Sequence, residues 1–158
     1  MLSTESLKRI DREIAKYPID KKQSAVMSAL AIAQEEKGWL ASETMDFVAR
    51  YLEMPPIAVY EVATFYNMYN LEPVGKYKIT ICTNLPCALS GSNESAAYLK
   101  KKLGIEYNQT TADGKFTLKE GECFGACGDA PVLLVNNKRM CSFMSNEMID
   151  KLLEELSK

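Results

Sequence analysis

Two cysteine pairs restrict the fold of this chain more than any other feature: Cys82-x4-Cys87 and Cys123-x3-Cys127, with 35 residues between the pairs. Each pair follows a stretch with strand character. Tyr77, Ile79 and Ile81 alternate with Lys76, Lys78 and Thr80 ahead of the first, and Phe116, Thr117 and Leu118 precede the second. Loops that follow neighbouring strands can come together at one end of a sheet, so the two pairs can share a single site. Small residues crowd both loops. Ala88, Ser90 and Gly91 follow the first pair, and Gly121, Gly125, Ala126 and Gly128 surround the second. Such loops let backbone N–H groups approach anionic sulfur.

The chain contains no histidine. That excludes histidine general acid–base catalysis, Ser-His or Cys-His nucleophile activation, His-ligated zinc and Rieske centres. A metal site here has to use cysteine and carboxylate. Four thiolates in two pairs suit the two irons of a [2Fe–2S] cluster, each iron taking two thiolates beside the bridging sulfides. A helix beginning near Ser92 could add a positive dipole end. A structural zinc site remains an alternative, although zinc knuckles usually space their cysteines by two residues. A core-filling role for the thiols is another. No C-x-x-C occurs, which disfavours a redox disulfide. The fifth cysteine, Cys141, lies inside a predicted strand and reads as a small hydrophobe.

With 158 residues, 47% of them hydrophobic and 25% charged, the chain has enough apolar material for one or two small domains. The net charge of −2 and the absence of a basic stripe give no electrostatic basis for nucleic-acid binding. No apolar run is long enough to span a bilayer. The first ten residues lack a signal peptide's apolar block, so a cytosolic or similarly reducing address is expected.

Apolar periodicity predicts an α+β chain, with a small helical bundle over residues 1–70 and a mixed domain over 75–158. Leu7, Ile10, Ile14 and Tyr17 share one face of a first helix that Pro18 should end. Asp20 and Gln23 resemble a capping box for a second helix carrying Val26, Leu30 and Ala33, closed at Gly38. Ser42 can cap a third with Met45, Val48 and Leu52, and Pro55-Pro56 separates it from a fourth with Val59, Val62 and Tyr66. Beyond Gly75 the order reads β-α-β-β-β-α. The helix Ser92–Leu103 stops at Gly104, and Asp113-Gly114 and Asn136-Asn137 make turns. A strand runs from Met140 to Phe143, and Ser145 caps a last helix with Ile149, Leu152, Leu153 and Leu156 inward.

The segments Cys82-Thr-Asn-Leu-Pro-Cys87-Ala-Leu-Ser-Gly91, Asp113-Gly-Lys-Phe-Thr-Leu118 and Glu122-Cys-Phe-Gly-Ala-Cys127-Gly-Asp-Ala-Pro131 resemble the E-subunit family of NADH:quinone oxidoreductase, the small [2Fe–2S] subunits of respiratory complex I. Gly38-Trp39-Leu40 and Ala63-Thr64-Phe65-Tyr66 extend the likeness upstream, while Phe124 stands where the family more often has leucine. The resemblance implies a thioredoxin-like ferredoxin domain behind the helical bundle, with Cys82, Cys87, Cys123 and Cys127 as ligands of one [2Fe–2S] cluster. It implies that residues 1–70 dock to a flavoprotein partner, the F-type subunit of complex I, which holds FMN and NADH. The chain would then be an electron-transfer subunit of a respiratory enzyme, not catalytic alone, lying at the inner face of the cell membrane through the complex. Equivalent subunits of NAD(P)-linked hydrogenases and formate dehydrogenases share the same spacing, and a freestanding ferredoxin carrier is a further alternative. No G-x-G-x-x-G fingerprint occurs, in keeping with dinucleotide binding elsewhere.

Overall fold

Helical periodicity gives way to strand periodicity between Phe65 and Tyr77, and the computed structural model, which describes residues 1–158, divides at that change. Met1–Pro73 and Val74–Lys158 form two units, each with its own core.

The first unit contains helices α1 (Thr4–Ile14), α2 (Val26–Lys37), α3 (Ser42–Leu52) and α4 (Pro56–Phe65), with a 3₁₀ stretch, Ile19–Ala25, between the first two. Ile10, Leu30, Leu40, Val48, Leu52 and Val59 are buried together. Ser3 caps α1 by accepting from the Ser6 N–H at 3.2 Å, and its own N–H and hydroxyl donate to Glu36 on α2 at 3.0 and 2.9 Å. The Ser6 hydroxyl and the Ser3 backbone hold the Glu36 carboxyl down to about 2. After α4 the chain returns to α2, where the Tyr69 hydroxyl donates to the Met27 carbonyl at 2.9 Å and Leu40 N–H to Asn70 O at 2.8 Å.

Four boundaries differ from the sequence reading. The first helix ends at Ile14, three residues before Tyr17. Lys16 and Tyr17 N–H bond back to Glu13 and Ile14 in tighter i→i−3 turns that finish the helix early. Asp20 and Gln23 form no capping box. Asp20 lies 3.3 Å from the Lys21 ammonium, Lys21 leaves helical geometry at φ −122°, and α2 starts only at Val26. Ser42 is the first residue of α3 rather than its cap, a position Ala41 takes with no side-chain bond. Tyr66 follows α4 in extended geometry, ψ 115°, outside the helix.

The second unit contains strands β1 (Tyr77–Cys82), β2 (Gln109–Thr110), β3 (Phe116–Gly121), β4 (Leu133–Val135) and β5 (Arg139–Cys141), with helices α5 (Leu85–Leu89), α6 (Ser92–Leu103) and α7 (Asn146–Ser157). The sheet order is β2-β3-β1-β4-β5, with β1 and β3 parallel and the other pairs antiparallel. Parallel neighbours need a long crossover, and the segment carrying α5 and α6 provides it. The register Ile79↔Leu118 places Ile79, Ile81 and Leu118 on one face, where they meet Leu99 of α6 and Ile149 and Leu152 of α7. Ser95 of α6 donates its hydroxyl to Met144 O at 2.8 Å, tying that helix to the loop before α7. Ser145 caps α7, accepting from Met148 N–H.

Three elements are additional to the sequence reading: the five-residue α5, the two-residue β2 and a 3₁₀ turn at Cys127–Asp129. The last strand also stops short, at Cys141 instead of Phe143, because Phe143 turns the chain with φ 53°. Asn136 and Asn137, with φ 52° and 58°, make the turn between β4 and β5.

Candidate metal centre

Parallel pairing of β1 and β3 sends both strands out of the sheet at the same end, with Cys82 opposite Gly121. Cys82 is therefore anchored on both sides. Its N–H donates to Val132 O at 3.1 Å, and the next N–H, of Thr83, donates to Gly121 O at 3.2 Å. Cys82 is 1% exposed. Beyond Thr83, Pro86 sits in the first turn of α5, where its missing N–H costs no helical bond. One turn of helix then carries Cys87 back against Cys82, and both pack on Val132.

The second pair leaves the end of β3. Cys123 and Cys127 are exposed, with sulfur atoms 3.9 Å apart. Gly125, between them, has φ +74°, a conformation that glycine adopts without strain, and its N–H donates to Cys123 Sγ at 3.3 Å. Phe124 and Ala126 pack inward onto the buried pair. The Ala130–Pro131 peptide is cis.

The thiols influence one another across both loops. Burial, and then the Cys82 thiol, push Cys87 up to about 11, with Cys127 adding to the rise and the Val132 backbone opposing it. Cys127 is raised chiefly by Cys123, and also by Cys82. Thiols gathered this closely cannot all ionise unless a cation compensates them. The donors stand as two pairs rather than three or four round one point. Two pairs match a binuclear centre, one pair to each metal, better than the single tetrahedron of structural zinc. Backbone N–H groups of Gly125 and Val132 are directed at sulfur, the kind of contact that stabilises an anionic cluster.

Cys141 stands apart. It pairs with Leu133 in the sheet, packs on the core of the second unit, and has its thiol raised by burial. The sequence reading missed α5; Pro86 directly after Leu85, inside the first cysteine spacing, was the available signal.

Two thiol pairs delivered by loops at one end of a mixed sheet define a ferredoxin-type protein, a sheet scaffold for a sulfur-bound redox centre. The fold is α+β in the thioredoxin-like manner. The chain belongs to the thioredoxin-like [2Fe–2S] ferredoxin family, whose model matches residues 10–157. It is 47% identical over 145 residues to the E subunit of NADH-quinone oxidoreductase from Rickettsia felis, covering 91% of this chain and 86% of that protein. It is 42% identical over 134 residues to the mitochondrial NADH dehydrogenase [ubiquinone] flavoprotein 2 of Dictyostelium discoideum, covering 84% of this chain and 54% of the relative. Among solved structures, an NAD⁺-reducing [NiFe]-hydrogenase chain shares the fold, with a TM-score of 0.68 and 23% identity over 81% of this chain and 22% of that longer chain.

Proposed function

We propose that this chain is the [2Fe–2S] electron-transfer subunit of an NADH-quinone oxidoreductase, with Cys82, Cys87, Cys123 and Cys127 as the cluster ligands. The observation that carries the reading is the convergence of one buried and one exposed thiol pair at the end of two parallel strands. When bound, the cluster supplies a one-electron redox centre. The chain's own residues hold it. Cys82 at the end of β1, Cys87 on α5, and Cys123 and Cys127 of the loop after β3 would hold it, and the Gly125 N–H, which donates to Cys123 Sγ, would offset thiolate charge there.

The subunit works in a multi-subunit oxidoreductase. Its immediate partner is a flavoprotein that binds NADH and FMN, and single electrons pass between that flavin and this cluster. The helical unit supports attachment to such a partner, since Ile57 and Phe65 of α4 are 67% and 76% exposed, large apolar side chains left uncovered. No helix is long and apolar enough to cross a membrane. Association with the inner face of the cell membrane would therefore come through the complex.

The test combines composition with electron transfer. Anaerobically purified protein should contain iron and acid-labile sulfide in equal amounts, and NADH should reduce it only when the flavoprotein is added. Cys→Ser at 82, 87, 123 or 127 should lower or perturb cluster content, whereas Cys141→Ser should leave it intact. A colourless protein with one equivalent of zinc, or a Cys141→Ser variant that loses its colour, counts against the proposal. Co-purification with hydrogenase or formate dehydrogenase subunits, in place of quinone-linked ones, would reassign the parent enzyme.

A further inference from the structure

The two thiol pairs differ in how an outside reagent reaches them. Cys82 and Cys87 are each 1% exposed and pack with Val132, Phe124 and Ala126. Cys123 and Cys127 are exposed, with their sulfur atoms 3.9 Å apart. Thiol–disulfide exchange requires access to the reacting sulfur, so chemistry of this kind with an external reagent is confined to the outer pair. Cys141 offers no comparable partner: it is half-buried, and Leu133 rather than a thiol stands opposite it in the sheet.

A disulfide holds its sulfurs about 2.05 Å apart, so the outer pair has to close by roughly 2 Å. Rotation of two exposed side chains and a small shift of the loop cover that distance. The loop is built to permit it. β3 ends at Gly121, which leaves Cys123 outside the sheet, and Cys127 only begins a three-residue 3₁₀ turn. Gly125, with φ +74°, turns the chain between the two cysteines, and a Cβ placed at Gly125 or Gly128 would meet nothing within 4 Å. The space beside the loop is open both to its movement and to a small reagent. Gly125 N–H donates to Cys123 Sγ at 3.3 Å, so a donor is in place for the charge that this sulfur carries when it attacks. The absence of C-x-x-C bears on redox dithiols of that turn geometry. It does not bear on two sulfurs that a glycine turn brings together across three residues.

We infer that the chain, before it is loaded with its cluster, closes a Cys123–Cys127 disulfide under oxidising conditions, and that this bond gates cluster uptake. The inference rests on the reading above, in which both sulfurs are ligands. The oxidant is a low-molecular-weight disulfide of the glutathione type. The Cys123 thiolate attacks one of its sulfurs, forming a mixed disulfide and releasing a glutathione thiolate, which takes up the proton that Cys123 gave up. The Cys127 thiolate then attacks the Cys123 sulfur, breaking its bond to glutathione and releasing the second glutathione thiol. Two cysteine thiols thereby lose two electrons and two protons, and one external disulfide is reduced to two thiols. A sulfur in a disulfide is no longer a thiolate ligand, so a chain in this state offers only Cys82 and Cys87 and cannot complete a four-thiolate centre. The bond is reversed by thiols, and it spares two exposed cysteines the irreversible steps to sulfinic and sulfonic acid. In the loaded chain the same sulfurs are committed to iron, so the gate acts during assembly alone.

The experiment takes the full chain, stripped of iron by a chelator under anaerobic reductant, with circular dichroism confirming that its fold persists. The chain is equilibrated in glutathione buffers of increasing disulfide content, free thiols are blocked by alkylation, and peptides are mapped by mass spectrometry. The peptide holding Cys123 and Cys127 should be lighter by two hydrogens than its dithiol form, while Cys82, Cys87 and Cys141 remain thiols. Supplied with ferrous iron and sulfide, the oxidised chain should develop visible colour at least about tenfold more slowly than the reduced chain, and dithiothreitol should restore the rate. Cys127→Ser should retain glutathione on Cys123 as a mixed disulfide, and Cys141→Ser should behave as wild type. If the stripped chain loses its helical signal, the same products are followed in the loaded chain while a chelator withdraws iron in oxidised glutathione. A disulfide through Cys82, Cys87 or Cys141, a wild-type chain carrying glutathione on both outer cysteines, or equal cluster uptake by oxidised and reduced chains overturns the inference. A reduced chain that takes up no [2Fe–2S] centre, yet still closes the Cys123–Cys127 bond, overturns the functional reading instead.

Discussion

Replacing Gly121 with alanine probes the packing that joins the two cysteine loops. Gly121 ends β3 opposite Cys82, and a Cβ there would lie 2.5 Å from Phe124 Cζ and 2.7 Å from Thr80 Cγ2. Ordinary carbon–carbon contact is about 3.5–4.0 Å, so the phenyl ring would have to withdraw by about 1 Å or more. That ring lies between Cys123 and Cys127 in sequence and packs with Cys82, Cys87 and Val132. It cannot retreat without moving the second thiol pair relative to the first. Overpacking of this kind costs about 1–3 kcal/mol. At about 2 kcal/mol, a unit of this size should lose roughly 8–16 °C of melting temperature. Thermal unfolding followed by circular dichroism measures the first effect, and bleaching of the visible band under a chelator measures the second, which should be faster. Adding Phe124→Leu removes the closest clashing atom and should recover about half the loss, Thr80 still being in contact. A Gly121→Ala protein within about 0.3 kcal/mol of wild type, with unchanged bleaching, would refute the claim that this glycine is required by close packing.

Two further outcomes follow from the cores. Burial, with Tyr66 nearby, pushes the Tyr69 hydroxyl up to about 12, above its unfolded value of about 10. Its contribution is therefore complete below about pH 10 and lost as pH rises through about 12. Tyr69→Phe should cost about 0.5–1.5 kcal/mol at neutral pH and flatten alkaline unfolding between those values; an unchanged alkaline profile would contradict this. Leu118, fully buried between the sheet and the helices, should cost about 2–5 kcal/mol when replaced by alanine, as read from denaturant midpoints.

The elements that followed from residue pattern alone were those with strong local causes. Gly38 closes α2 at φ 82° because a left-handed cap favours glycine, and Ser145 caps α7 by its own hydroxyl. Where the local signal had a competitor, pattern was a poor guide. Asp20 could serve either a helix cap or a neighbouring ammonium, and in the folded unit it lies beside Lys21. Ser42 resembled a cap, yet the backbone there begins one residue earlier with Ala41. Tyr66 continued the spacing of α4 in sequence, although the chain had already turned toward the Tyr69–Met27 bond. α5 was too short for periodicity to register.

The sequence by itself determined the number, spacing and order of the thiols, the absence of imidazole, and the change from helical to strand period near residue 75. Those properties follow from residue identity and local geometry. Only the tertiary structure decided that β3 lies alongside β1 and runs the same way. An antiparallel β3 would have put Cys123 at the opposite end of a six-residue strand, about 20 Å away. Strand direction depends on how the crossover through α6 packs on Ile79, Ile81 and Leu118, a long-range arrangement that no local window contains. The same packing buries Cys82 and Cys87 and leaves Cys123 and Cys127 in solvent, an asymmetry invisible in two cysteine spacings that look alike on paper.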